Sequence, residues 1–173
     1  MGGKKFDPSL RPIQRVLFIR TDRMGDALMN LPALRVLRQT FPKAWLTVLL
    51  DESVAELFRD HPDIDEVLVF PKAAVQKNAR LKIQWILRIR KIRFDMAIVS
   101  NPDKFMHFLT FAAGVPCRIG YGRKWGCLLT KSLPDTKSER NCHEIDFNLE
   151  LVRLVSDQSW DGRIELPQDA AAT

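Results

Sequence analysis

The sequence predicts an α/β protein built on a doubly wound parallel sheet, a Rossmann-like three-layer sandwich. Two observations carry this reading. Short apolar runs with little alternation, "RVLFI", "WLTVLL", "EVLVF" and "MAIVS", have the composition of strands buried on both faces. Segments of helical periodicity lie between them, so strand and helix alternate four times before a fifth run, "CRIGYG". Right-handed crossovers then place helices on both faces of the sheet.

The elements follow in order. Residues 15–19 form the first strand, and the turn from Arg20 to Asp26 leads into a helix whose Leu34, Leu37 and Phe41 fall at i, i+3 and i+7. Pro32 lies within that helix and removes a backbone donor. Either the helix restarts at Pro32, or a short first turn over residues 26–31 is offset from the rest. Residues 45–50 form the second strand, and 52–60 read as a short amphipathic helix closed by Pro62. The third strand, 66–70, precedes a helix over 81–93. Leu81, Trp85, Ile89 and Ile92 share one side of it, and Lys77, Arg80, Gln84, Arg88 and Lys91 lie opposite. A fourth strand, 96–100, is followed by an apolar helix over 103–114 that stops at Gly114. After the fifth strand, 117–122, a loop containing "KSLPDTKSER" leads to a last helix over 141–155, with Asn141 as N-cap and Glu144 as its capping-box partner. The tail "DGRIELPQDAAAT" carries no further element and reads as a domain boundary.

A chain of 173 residues suits one domain with a sizeable core, and 46% hydrophobic with 28% charged residues is ordinary globular composition. No apolar run approaches the ~18 residues that span a bilayer. The leading "MGGKKFDPSLRPIQ" has no apolar core of a secretory signal, and Phe6 stands where a myristoylation signal carries Ser or Thr. Cys117, Cys127 and Cys142 form no CxxC pair, which fits reduced thiols in a cytosolic protein. His61, His107 and His143 are scattered without metal-ligand spacing, so no metal site is expected.

Charge is concentrated. Lys72, Lys77, Arg80, Lys82, Arg88, Arg90, Lys91 and Arg93 fall in one window without an acid. These eight charges exceed the whole net charge of +6, so the rest of the chain carries a net −2. The window reads either as a solvated face or as a surface for an anionic partner. Trp85 is its lone stacking aromatic and no nucleic-acid motif is present, so nucleic acid is not expected. An anionic glycolipid at a membrane surface suits a basic amphipathic helix.

Ligands of open α/β sheets bind beyond the carboxyl ends of the strands, near the switch point of strand order. The turn from Arg20 to Asp26, with Arg20, Thr21, Asp22, Arg23, Met24, Gly25 and Asp26, lies there. It is neither GxGxxG nor a Walker loop. Gly25 is expected to allow a sharp turn or close approach of a ligand. Asp26, near the start of a helix, reads either as a cap favoured by unpaired N–H groups or as a general base facing a ligand. The neighbouring arginines favour its ionised form. His143 reads first as a helix-terminus residue. "RIGYGRK", with Arg118, Arg123 and Lys124, is either a basic turn or a strand end open to a ligand.

Taken together, these motifs resemble glycosyltransferase family 9, the lipopolysaccharide heptosyltransferases. "RVLFIRTDRMGDALMNLPALRVLRQTFPKAWLTVL" resembles that family's N-terminal signature, and "HPDIDEVLVF", "FDMAIVSNPD", "GVPCRIGYGRK" and "HEIDFNLELVRLV" follow in family order, over residues 15–166. The resemblance implies the N-terminal half of a GT-B fold. Residues 1–14 would be a polar lead-in, 15–160 the acceptor-binding domain, and 161–173 the start of an interdomain linker. It implies an inverting, metal-independent transfer of a sugar, heptose from ADP-heptose, to the Kdo- or heptose-bearing inner core of lipopolysaccharide.

The resemblance also implies roles for single residues. Asp26 would be the catalytic base. Thr21, Asp22, Arg23, Met24 and Gly25 would shape the acceptor site, with Arg80, Arg88, Lys91, Arg123, Lys124 and His143 around it. No cofactor is implied, since the ADP-sugar donor is a substrate of the C-terminal domain, whose motifs are absent here. The chain alone is therefore expected to be inactive: either it is a fragment, or its reading frame is truncated, or a separate polypeptide supplies the donor-binding domain. The implied location is cytoplasmic, peripheral at the inner face of the cytoplasmic membrane. Two other readings stand beside this one: a binding module for anionic glycolipid, and an unrelated Rossmann-like nucleotide or small-molecule binder.

Overall fold

Six parallel strands run in the order β3-β2-β1-β4-β5-β6, with β1 at Arg15–Arg20, β2 at Trp45–Asp51, β3 at Glu66–Phe70, β4 at Met96–Val99, β5 at Cys117–Tyr121 and β6 at Lys131–Leu133. The computed structural model describes residues 12–22, 24–136, 143–160 and 162. The doubly wound α/β class read from the sequence is the observed one. Strand order reverses at β1, which pairs with β2 on one side (Val16 opposite Leu46) and with β4 on the other (Ile19 opposite Val99).

The unbroken apolar runs have a direct cause. Successive side chains of a strand point to opposite faces. Val16 and Phe18 enter one core with Val48, Leu50 and Ile98, whereas Leu17 and Ile19 enter the other with Leu49, Ala97 and Val99. The first core is closed by α2 (Leu31–Thr40) and α6 (Glu144–Val152). The second is closed by α4 (Ala79–Ile92) and α5 (Lys104–Ala112), which bury Trp85, Ile89, Met106 and Leu109.

Pro32 resolves as a restart. A five-residue helix α1 (Met24–Leu28) ends, and α2 begins at Leu31 with Pro32 in its first turn, where a missing N–H costs little. Gly114 stops α5 as expected. It takes φ 78°, and Val115 N–H donates to Thr110 O across it. The remaining short helix, α3 (Lys72–Lys77), precedes α4 and was not anticipated.

Four expectations are corrected. Residues 52–60 hold only a 3₁₀ turn at Ala55–Phe58, because the Asp51 carboxylate accepts from Ser53 N–H and Oγ–H and starts the segment as a turn. The basic helix begins at Ala79, two residues early, because the Asn78 side chain accepts from Arg80 and Leu81 N–H. The loop after β5 contains the strand β6, whose backbone Leu133 O accepts from Gly122 N–H. Three residues with no buried side chain leave no pattern to read. The last helix starts at Glu144 and is capped by His143, whose Nδ1 accepts from Ile145 N–H. The expected cap, Asn141, lies outside the described residues.

Candidate active site

The inward phase of β1 continues to its last residue. Arg20 follows Val16 and Phe18 onto the α6 side, and its side chain is only 2% exposed. A guanidinium buried there must be matched by polar groups. It donates to Asp22 Oδ1 (2.5 Å), Glu144 Oε1 (3.2 Å), Ser100 Oγ (3.4 Å) and Asn148 Oδ1 (3.4 Å). Its Nη2 also lies 3.8 Å from Asp26 Oδ2. Groups from the β1–α1 turn, α1, the end of β4 and α6 thus converge on one cation. The guanidinium faces three carboxylates, so the cluster carries net negative charge.

This cluster sits at the switch point between β1 and β4. Ser100 is placed beside Arg20 because its N–H extends the β1–β4 ladder to Ile19 O (3.1 Å). The short helix α1 is clamped from behind. Asn30 Nδ2 donates to Asp26 O (2.6 Å), and Asn148 Nδ2 donates to Met29 O (3.1 Å). Asp26 is tethered on one side and 41% exposed on the other. A carboxylate so held can accept a proton from a bound hydroxyl without first being ordered. Lys72 Nζ, at the start of α3, donates to Thr21 O (2.6 Å) and fixes the far side of the turn.

A cleft of about 70 Å³ opens beside the cluster, lined by Arg20, Asn101, Pro102, Tyr121, Arg123 and Glu144 among others. Arg123 pairs with Asp135 at 2.9 Å on its rim, and the Tyr121 hydroxyl donates to Phe147 O (2.6 Å) at its wall.

The predicted site residues divide by position. Thr21, Asp22, Met24, Gly25 and Asp26 stand together at the end of β1, with Arg123 across the cleft and His143 next to Glu144. Arg23 lies outside the described residues. Arg80 is exposed in the first turn of α4, at the same sheet edge. Arg88 and Lys91 are carried away from that edge, roughly 13 and 18 Å along α4 from its start at 1.5 Å per residue. Arg88 lies over the Trp85 ring at 4.8 Å. Gly25 is helical and makes no sharp turn. A Cβ there would meet nothing within 4 Å, so its contribution is open space beside Asp26.

Lys124 and Trp125 both have positive φ, 51° and 70°. The Lys124 carbonyl accepts from His107 Nδ1–H at 2.9 Å, which fixes the tautomer and leaves Nε2 bare and buried. Burial, the largest cause, lowers the His107 pKa below its ordinary 6.5, against opposing effects of that hydrogen bond and of Asp103. Sequence reasoning placed Arg20 in the turn beside Asp26 but not as the buried centre of the cluster, and it missed Glu144 and Asn148 as site members. The available signal was Arg20 itself, a charge at the end of an apolar strand in phase with Val16 and Phe18.

Comparison with known proteins accords with the fold. No family model matches the chain. A Haemophilus influenzae protein described as "Putative glycosyltransferase" is 28% identical over 142 residues, 82% of this chain and 40% of the relative. A family 9 glycosyltransferase structure from Veillonella parvula superposes with a TM-score of 0.73 at 22% identity, over 88% of this chain and 45% of that one. The chain is similar to family 9 glycosyltransferases.

The E. coli heptosyltransferase WaaC with ADP-2-deoxy-2-fluoro heptose gives 0.69 at 18% identity, over 87% and 50%. The E. coli ADP-heptose lps heptosyltransferase II gives 0.64 at 20%, over 90% and 46%. The resemblance read from the motifs is thus met by a glycosyltransferase relative in sequence and by family 9 structures in fold, and the fold matches about half of each of those structures. The chain spans about half the length of the proteins it matches, or somewhat less.

Proposed function

We propose that this chain is the acceptor-binding half of an inverting, heptosyltransferase-like glycosyltransferase, and that Asp26 is its general base. The observation that carries the reading is the Asp26 carboxylate, held by buried Arg20 at the switch point yet open to solvent. In the proposed step, Asp26 Oδ takes the proton of an acceptor hydroxyl. The freed oxygen attacks the anomeric carbon of the donor sugar. The bond to the nucleotide phosphate breaks with its electron pair leaving on that phosphate, and the anomeric configuration inverts. The donor, an ADP-heptose in this reading, is bound by the donor-binding half of the enzyme. The acceptor is a lipopolysaccharide inner core, whose phosphates and carboxylates meet Arg123, Lys124 and Arg80. His143 orders the start of α6 and with it Glu144. The proposed location is cytoplasmic, at the inner face of the membrane. Residues 161–173 are read as the start of the linker.

The test pairs this chain with a donor-binding half and measures release of ADP from ADP-heptose in the presence of acceptor. Asp26→Asn should lower turnover about 10²–10⁴-fold, the usual contribution of a general base, while acceptor still binds. Near-full activity of that variant would leave Asp26 a structural residue. The chain by itself should release no ADP, and turnover by it alone would overturn the assignment of the donor site to another half.

A further inference from the structure

The two helical layers differ in charge. Between Lys72 and Lys131 there are thirteen Lys and Arg residues and two acids, Asp95 and Asp103. Both acids are engaged by backbone donors. The Asp95 carboxylate accepts from Gln14 and Arg15 N–H, and Asp103 caps α5 through Phe105 and Met106 N–H. The helices α3, α4 and α5 themselves carry no acid.

The same layer exposes apolar side chains. Ile83 and Leu87 on α4 are each 57% exposed, and Phe111 on α5 and Trp125 after β5 are 49% and 52% exposed. Between the N-terminal halves of α4 and α5 lies a groove of about 440 Å³, lined by Lys82, Ile83, Ile86, Lys104, Phe108 and Trp125 among others. Trp125 meets Phe108 edge-on at 6.3 Å. Its display is built in. A bulky residue at φ 70° is strained, and the preceding Lys124, also at positive φ, is fixed by buried His107. Cations rim the apolar surface throughout. Lys82 lies over Phe105, and Arg118 over Phe111.

We propose that this face, α4, α5 and the Trp125 loop, docks on an anionic phospholipid bilayer. Contiguous exposed apolar surface marks an interaction site. Its rim selects the partner: cations without a free acid complement anionic headgroups, and a Trp with Phe, Ile and Leu suits the interfacial zone beneath them. No helix among the described residues is long and apolar enough to cross a membrane, and the contact proposed is one of this face with the bilayer surface. The groove opens at the N-terminal ends of α4 and α5, the sheet edge that holds Asp26. Docking would therefore bring that edge to the bilayer, where a lipid-anchored acceptor lies. The docking is read from the surface alone, so failure of the transfer reaction would leave it standing.

The test is co-sedimentation of the 173-residue chain with vesicles of phosphatidylglycerol and phosphatidylethanolamine, against vesicles of phosphatidylcholine. The chain should bind the anionic vesicles, and less so as salt rises. Lys82→Glu with Lys104→Glu should lower the partition coefficient at least about tenfold, given the share of binding that each cation near such a surface supplies. Trp125→Ser should also lower it, with thermal unfolding unchanged because the ring is exposed. Lys43→Glu with Arg153→Glu makes the same change in net charge away from this face and should have at most about a threefold effect. No binding, equal binding to neutral vesicles, or an equal loss in the Lys43/Arg153 control would overturn the proposal. So would self-association of the chain that Trp125→Ser abolishes, since the occupant would then be a second copy.

Discussion

Arg20 Nη2 lies 3.8 Å from Asp26 Oδ2 and 3.2 Å from Glu144 Oε1, so one buried cation ties the short helix after β1 to the first residue of the last helix. The link joins segments more than a hundred residues apart in sequence. It also explains how a five-residue helix, too short to be stable alone, can present a carboxylate in a fixed place.

Removing that cation should cost more than removing any of its partners. Arg20→Leu leaves Asp22, Asp26 and Glu144 facing one another without the guanidinium that joins them. Breaking a buried ion pair in this way typically costs about 3–5 kcal/mol. Arg20→Lys should lose less, because it keeps the charge, but an ammonium lacks the planar fork that reaches several partners at once. Urea unfolding of the three proteins measures this directly. A loss below about 1 kcal/mol in Arg20→Leu, the range of exposed pairs, would mean that the carboxylates are solvated and the cluster is not a structural unit.

Gly25 separates stability from function. Its backbone is helical and a Cβ would meet no atom within 4 Å. Alanine is the better helix former by roughly 0.5–1 kcal/mol, so Gly25→Ala should unfold at the same or higher denaturant concentration. In the proposed transferase, the same variant should lose turnover, because the added methyl occupies space next to Asp26. Unchanged turnover would show that no ligand uses that space.

The fold was legible because its signals are local. The core strands are continuous apolar runs, and Gly114 stops its helix as its chemistry requires. What the chain does not display locally was missed. β6 exists because β5 supplies its partners, and Lys131–Leu133 buries no side chain that would mark it. Glu144 carries the capping-box spacing from Asn141, yet its carboxylate is on Arg20, a contact set by the distance between helix and sheet. Asp26 was readable from its position after β1. Its anchoring was not, since Arg20, Asn148 and Ser100 come from three separate segments. Arg88 and Lys91 show a difference of scale: a charge window is compact in sequence, but a helix spreads it along the length of the sheet.

That spread gives a comparative prediction for acceptor binding. Arg123 borders the cleft beside Arg20, whereas Arg88 and Lys91 lie along α4 away from the edge. Arg123→Glu should therefore weaken binding of a phosphorylated acceptor glycan more than Arg88→Glu with Lys91→Glu. The remaining effect of the double variant should fade with salt, as expected for charges farther than a Debye length of ~8–10 Å. Titration calorimetry at two salt concentrations distinguishes the cases. A larger loss from the α4 pair would move the acceptor off the cleft.

His107 should give the fold an acid-sensitive point. Its Nδ1–H is committed to the Lys124 carbonyl, and its Nε2 is buried with no partner among the described residues. Burial holds the folded pKa below 6.5, while the unfolded chain regains the ordinary value. The sign follows from which state takes the proton. Above pH 6.5 the ring is neutral in both states and the full stability is present. As the pH falls below 6.5, the unfolded chain protonates first and stability declines until the folded pKa is passed. The slope from one such group is at most about 1.4 kcal/mol per pH unit. His107→Gln keeps an N–H donor for Lys124 but cannot titrate, so its stability between pH 6.5 and 5 should be flatter than that of the parent. Asp103 and Lys124, the charged groups that act on the ring, remain in both proteins. Parallel profiles from urea unfolding at each pH would assign the acid sensitivity to other groups.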